Sequence, residues 1–219
     1  MDLEKEFTKL QKWKIESLIE KHSNNDNGNF EIKLSDKIAY VDDDGFGYEG
    51  LEKDYQFKIG GKNIYVFDNH HKAIFYLFKE FQKNKKVLDL LHIDAHRDDA
   101  IFRYEYPEKI TEKNIQKIYQ EARVSDYLDL LQKTKLIGKI FNITQSGEFE
   151  NMDIPESDFI LNLDIDIFGP DGEVVDLELK IKRIIEAWKK ANFVMIATSP
   201  GFMNQKNAKF LIEIFLKRI

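Results

Sequence analysis

Three short apolar runs in this sequence end in ionisable residues. Ile64-Tyr65-Val66-Phe67 leads into Asp68-Asn69-His70-His71; residues 87–93 lead into Asp94-Ala95-His96-Arg97-Asp98-Asp99; the run from Phe159 leads into Asp164-Ile165-Asp166. A carboxylate at the end of a buried strand is costly unless it is paired or holds a cation. Taken singly, each group has a plain structural account. A lone His after a strand is commonly a satisfied core residue, and a lone Asp there caps the next helix. Gathered at one edge of a sheet, they form a ligand set rich in oxygen, with a minority of imidazole and no sulfur. Such a set suits Mn²⁺, or another hard-to-borderline divalent ion, better than a structural zinc site. The candidates are His70, Asp94, His96, Asp98, Asp164 and Asp166. Four carboxylates and two imidazoles exceed the ordinary geometry of one ion and suit two ions sharing bridging carboxylates. A metal pair lowers the pKa of a water held between its ions and makes a nucleophile of it. The chemistry implied is hydrolysis.

The elements that must position these residues follow from periodicity. Helices are expected over residues 3–22, 73–81, 111–122, 125–132, 177–191 and 204–217. Ser125 is the expected N-cap of the fourth, with Asp126 in its first turn. Strands are expected over 64–67, 87–93, 139–144, 159–166 and 193–197, and residues 30–41 alternate loosely enough for a hairpin. Residues 23–29 and Asp42-Asp43-Asp44-Gly45 read as loop and turn; the latter lacks the Glu that a calcium loop needs. Strands alternating with helices predict an α/β fold with a mainly parallel central sheet flanked by helices. Ligands then bind beyond the carboxyl ends of the strands. With Asp164 and Asp166 two apart on a strand, both side chains share a face. No linker, repeat or low-complexity tract divides the chain, so a single domain over 1–219 is expected, with 1–60 elaborating a core at 62–217.

Composition removes several function classes. With 33 Lys and Arg against 39 Asp and Glu, the formal charge is −6, which predicts no nucleic-acid partner. The absence of Cys excludes disulfide scaffolds, zinc fingers, iron–sulfur sites and thiol nucleophiles. Neither a signal-peptide pattern nor a membrane-length apolar run is present. The expectation is a cytoplasmic protein with no membrane partner; the oligomeric state stays open.

The motifs together resemble those of the ureohydrolases, the family of arginase, agmatinase and formiminoglutamase. Asp94-Ala95-His96-Arg97-Asp98 is similar to their Asp-Ala-His-x-Asp motif, Asp164-Ile165-Asp166 to their Asp-x-Asp, and Asn69-His70 to the motif of the first metal-binding His. The resemblance spans residues 62–217. It is nearest a small branch with Asp-Asn-His and Ser-Pro-Gly-Phe motifs, here Asp68-Asn69-His70 and Ser199-Pro200-Gly201-Phe202. That branch includes peptide arginases, which convert arginine to ornithine within a precursor peptide and release urea. The resemblance implies the three-layer arginase/deacetylase-like fold and two Mn²⁺ per chain. His70, Asp94, Asp98 and Asp164 would hold one ion. His96, Asp94, Asp164 and Asp166 would hold the other.

Departures bear on the substrate. Enzymes of this family that act on free arginine carry an Asn where Ala100 stands, a His near Val124-Ser125-Asp126, and a Glu near Thr198-Ser199-Pro200-Gly201. Their absence fits arginine already inside a peptide. It also fits another amide-like substrate, or a protein that keeps its metals without turnover. Competing readings are therefore a metal-dependent deacylase on the same scaffold and a non-catalytic metal-binding module. Asp126 and Asp99 are the candidates for a carboxylate facing a cationic substrate, against helix-cap or surface roles. His92, two residues before Asp94, either orients a ligand carboxylate or bonds to backbone. His71 is expected to point away from the metals, and residues 102–107 form either a cleft wall or a packed surface loop.

Overall fold

The computed structural model describes residues 9–22 and 30–218. Helix α1 (Lys9–His22) comes first; the expected start of this helix at residue 3 and the expected loop at 23–29 lie outside the described residues. Strands β1 (Leu34–Val41) and β2 (Gly47–Leu51) then form an antiparallel hairpin. Its turn is closed by Asp42, whose Oδ1 accepts from the Asp44 and Phe46 amides at 3.1 and 2.8 Å. The turn stands where the sequence predicts it. Its first strand fills most of the stretch expected to hold a whole hairpin, and its partner strand follows the turn.

Six further strands build the central sheet: β3 (Tyr55–Ile59), β4 (Lys62–Phe67), β5 (Asp89–Ile93), β6 (Ile140–Ile143), β7 (Phe159–Asp164) and β8 (Phe193–Ala197). Their order is β3-β4-β8-β7-β5-β6. All neighbours are parallel except β3, which pairs antiparallel with β4 at the edge. Neither β2 nor β3 is among the expected strands, although β3 alternates apolar and polar residues in the manner of a half-buried strand.

Side-chain alternation divides the core into two faces. On one face Tyr65, Phe67, Leu90, Ile160 and Met195 pack against α2 (Ala73–Asn84), α3 (Ile115–Glu121) and α4 (Tyr127–Lys133). On the other, Val66, Leu91, Ile93, Leu161, Leu163 and Ile196 pack against α5 (Ser146–Glu150), α6 (Leu177–Lys190) and α7 (Gln205–Arg218). Helix α1 lies over α6 and α7, burying Ile15, Leu18 and Ile19. Trp13, part of the predicted apolar stripe, is 64% exposed instead. The result is a three-layer α/β fold with a mainly parallel sheet. The chain leaves β5 for β6 on one side and returns to β7 on the other, which opens a crevice at the carboxyl edge between β5 and β7.

Candidate metal centre

Register brings the predicted residues together. Ile93 pairs with Leu163 across β5 and β7, so Asp94 emerges beside Asp164. Beyond β4 the chain turns through a short 3-10 segment, His70–Lys72, that buries His70 completely. The chain leaves strand geometry at Asp94 itself. Four residues on, Asp98 adopts φ +51°, a left-handed conformation that Asp tolerates better than most residues. This bend carries its Oδ2 to 3.3 Å from His70 Nδ1. β7 ends at Asp164 rather than 166, and Ile165–Phe168 form a 3-10 turn capped by the strand end: Asp166 N donates to Asp164 Oδ1 at 3.0 Å. Strand periodicity therefore does not place Asp166; the turn does.

Three carboxylate oxygens surround one imidazole nitrogen. His70 Nδ1 lies 2.9 Å from Asp94 Oδ2, 3.1 Å from Asp164 Oδ2 and 3.3 Å from Asp98 Oδ2. Nearby, His96 Nδ1 lies 3.0 Å from Asp166 Oδ2 and 3.5 Å from Asp94 Oδ1. Two groups of donor atoms emerge, each compact enough for one ion: His70, His92, Asp94 and Asp98, and Asp94, His96 and Asp166. Asp94 belongs to both. Backbone bonds fix its orientation, since the His96 amide donates to Asp94 Oδ1 at 2.6 Å. Ser199, at φ +44°, donates its hydroxyl to Asp164 Oδ2.

Protonation shows what the cluster lacks. Burial would lower His70, yet the electronegative surroundings of Tyr127, Asp164 and Asp94 raise it well above the ordinary imidazole value. His96 is pushed up to about 11 by Asp166 and Asp94. Burial raises Asp98 to about 7 despite its bond to His70, with Asp94 and Asp164 adding repulsion. Asp166 is raised well above the carboxylate range by burial, then by Asp164 and Asp94. Asp94, between the two imidazoles, is held well below the carboxylate range, but raised Asp98 and Asp166 beside raised His70 and His96 are the response of a site with more carboxylates than cations to pair them. One N–H on His70 satisfies one carboxylate, not three. The donor set thus fits divalent cations, and four cage carboxylates match the charge of two.

The cluster floors a cavity of about 340 Å³. Its wall includes Tyr40, Asn69, Asp99, Ala100, Val124, Ser125 and Phe202. Tyr40 comes from the β1–β2 hairpin, an origin the sequence did not betray. The hairpin is tied to the Asp68-Asn69-His70 segment: Leu51 N donates to Asp68 Oδ1 at 2.8 Å and Asn69 Nδ2 to the Ala39 carbonyl at 2.7 Å. The Tyr40 ring lies on Gly201, where a Cβ would come within 2.4 Å of it, so only glycine fits. Phe202 completes the wall, its ring centroid 5.9 Å from Tyr40 and 4.9 Å from His96.

Other predicted residues fall elsewhere. Asp99 reaches the cavity rim and pairs with Arg97. Asp126 does not line the cavity: it is 2% exposed, accepts from the Arg123 amide at 2.7 Å and is raised to about 6 by burial. It, not Ser125, stands at the N-cap of α4. This placement favours a turn-closing role over a substrate-facing one. His71 stacks on Tyr119, away from the cluster. The 102–107 loop packs onto the fold, with Phe102 N and the Tyr106 hydroxyl both donating to Asp129.

A buried lysine that sequence reading missed supports the loop after Asp166. Lys180 Nζ donates to the Ile167 and Gly172 carbonyls at 2.7 and 2.9 Å, and burial lowers its ammonium to about 8. Lys180→Met keeps the volume and strands both carbonyls. We expect it to destabilise the metal-free protein by about 1–3 kcal/mol, read as a lower urea midpoint at unchanged slope.

No protein-family model matches the chain, and no curated protein does. Among solved structures, it is similar to a hypothetical agmatinase from Burkholderia thailandensis, with 13% identity and a TM-score of 0.46 over 69% of this chain. The match spans 55% of that protein. A likeness of that size says nothing about activity. No helix among the described residues is long and apolar enough to cross a membrane.

Proposed function

We propose that this protein is a dinuclear Mn²⁺-dependent hydrolase of the ureohydrolase type, cleaving the guanidinium C–N bond of arginine within a peptide to give ornithine and urea. The observation that carries the reading is the convergence of His70, Asp94, His96, Asp98, Asp164 and Asp166 on one floor, with Asp94 common to two donor groups. His70, Asp94, Asp98 and Asp164 would hold one ion, and His96, Asp94, Asp164 and Asp166 the other. Bound there, the ions supply an activated water at neutral pH and the positive charge the cluster lacks.

The chain's own residues do the rest. Tyr40 and Phe202 offer aromatic faces to a flat cationic group and exclude water beside it. Asp99 adds negative charge at the rim, where a guanidinium or its peptide would enter. Ala100, Val124 and Ser125 bring no charge to the cavity wall, and the charged residues beside them, Arg97 and Asp99, pair with each other instead of standing free to grip α-amino and carboxylate groups. That supports a substrate whose backbone is already in peptide bonds.

The test is direct. Mn²⁺-loaded protein incubated with arginine-containing peptides should shift their mass by about −42 Da, the change that release of urea demands, and EDTA should abolish it. Urea from free arginine with none from peptides would reassign the substrate. A single tightly held zinc would favour a deacylase, and failure to bind any divalent metal would sink both enzyme readings.

A further inference from the structure

Beneath the carboxylates, the sheet carries a second polar layer. His92 on β5 pairs in register with Asn162 on β7, two residues before Asp94 and Asp164 respectively. Both are fully buried, on the face otherwise filled by Tyr65, Leu90, Ile160 and Met195. Asn162 Nδ2 lies 2.7 Å from the Tyr127 hydroxyl and 3.2 Å from His92 Nδ1. His92 Nε2 has no hydrogen bond; Asp94 Oδ2 stands 3.4 Å away. By distance alone His92 also belongs to the donor group of His70, Asp94 and Asp98. It thus faces two incompatible roles. A metal ligand needs a bare Nε2, whereas a donor to Asp94 needs a proton there.

The amide decides between them. An NH₂ group has two protons, and here they reach the Tyr127 hydroxyl and His92 Nδ1. A nitrogen that accepts is bare, so the neutral ring carries its proton on Nε2. With the amide turned over, its oxygen would call for a proton on Nδ1. Nε2 would then face the Asp94 carboxylate as lone pair against lone pair in a buried site, a repulsion that nothing offsets in the metal-free protein. We infer that Asn162 locks His92 in the Nε2–H form, so that His92 is a positioning residue holding Asp94 and is kept from ligating the metal. The last clause rests on the metal centre proposed above; the lock itself does not. Partners behind metal ligands set ligand orientation and affinity in this manner.

Long-range ¹⁵N–¹H correlation of the imidazoles tests this, with five histidines to assign. In EDTA-treated protein His92 should show the Nε2–H pattern, and on adding Zn²⁺ its Nε2 should keep its proton while His70 and His96 shift. In Asn162→Leu, with the lock removed and the branched shape kept, His92 Nε2 should take the shift of a ligated nitrogen on adding Zn²⁺. His92→Leu should weaken Mn²⁺ binding by about 10–100-fold, while His92→Gln, which keeps an N–H donor, should restore it to within a few-fold. An Nδ1–H pattern in the wild type, a ligated His92 Nε2 in the wild type, or equal losses in the two His92 variants would overturn the inference. An Nε2–H pattern in a protein that binds no metal would uphold the lock and overturn the metal centre alone. The wild-type spectra decide the matter even if a variant fails to fold.

Discussion

Asp94→Asn should empty both metal positions and remove hydrolysis. Its two oxygens serve different neighbours: Oδ2 lies 2.9 Å from His70 Nδ1, and Oδ1 accepts from the His96 amide and faces His96 Nδ1 at 3.5 Å. By distance it alone falls in both donor groups; Asp164, which the proposed ligand sets also share, falls in neither. Asparagine preserves the shape and can still accept from the His96 amide, but it removes the charge and one carboxylate oxygen that an ion could use. Changes behind a ligand already cost about 10–100-fold in affinity, so loss of a shared ligand should exceed that range for both ions. Metal content after dialysis, with activity on arginine peptides in parallel, reads the outcome. Retention of two ions per chain would refute the bridging role. Asp99→Asn is the control, since its carboxylate touches Arg97 and the rim rather than the cage, and it should keep both metals.

Asp98→Asn should stabilise the metal-free protein and weaken the loaded one. Burial raises the Asp98 carboxyl from near 3.8 to about 7, against the pull of His70 and with added repulsion from Asp94 and Asp164. The folded form therefore binds a proton that the unfolded chain has already lost. Stability that depends on this proton is complete below pH ~4, declines as pH rises from ~4 to ~7, and is absent above that. Asparagine has no proton to lose, and it tolerates the left-handed backbone at this position (φ +51°). Above pH 7 in EDTA the variant should melt several degrees higher than the wild type, each kcal/mol being worth ~2–4 °C in a chain of this size. At pH 5 the gap should narrow. With saturating Mn²⁺ the order should invert, because the wild type gains more from binding. Thermal melts of both proteins at the two pH values, with and without metal, give four differences; a wild type more stable than the variant at pH 8 in EDTA would contradict the electrostatic account.

Much of the candidate site was legible because each candidate ligand stands at or just beyond the end of an apolar strand. A parallel sheet gathers such ends along one edge, so local patterning was enough to nominate His70, Asp94, His96, Asp98, Asp164 and Asp166, and the structure places all six within one cluster. The helices after β4, β7 and β8 were legible for the same reason, being long and amphipathic. Asp166 was nominated on a wrong premise: strand periodicity was assumed, but a 3-10 turn carries it. Short elements failed differently. β2 is short and glycine-rich and holds its place by pairing with β1, while β3 carries a period-2 stripe, Tyr55, Phe57 and Ile59, buried against the core, a signal legible in the sequence but not used.

What the sequence determined by itself was chemical: an oxygen-rich, sulfur-free set of candidate ligands on a βα framework. What only the tertiary structure decided was adjacency. Tyr40 reaches the cavity because Asp68 and Asn69 grip a hairpin from the start of the chain. Asp126 spends its carboxylate on a turn. His92 meets Asn162 because β5 and β7, far apart in the chain, pair in that register. Periodicity reports which side of its own element a residue occupies. It carries no information about which element lies next to it, and that neighbour sets a side chain's partner, its proton and its role.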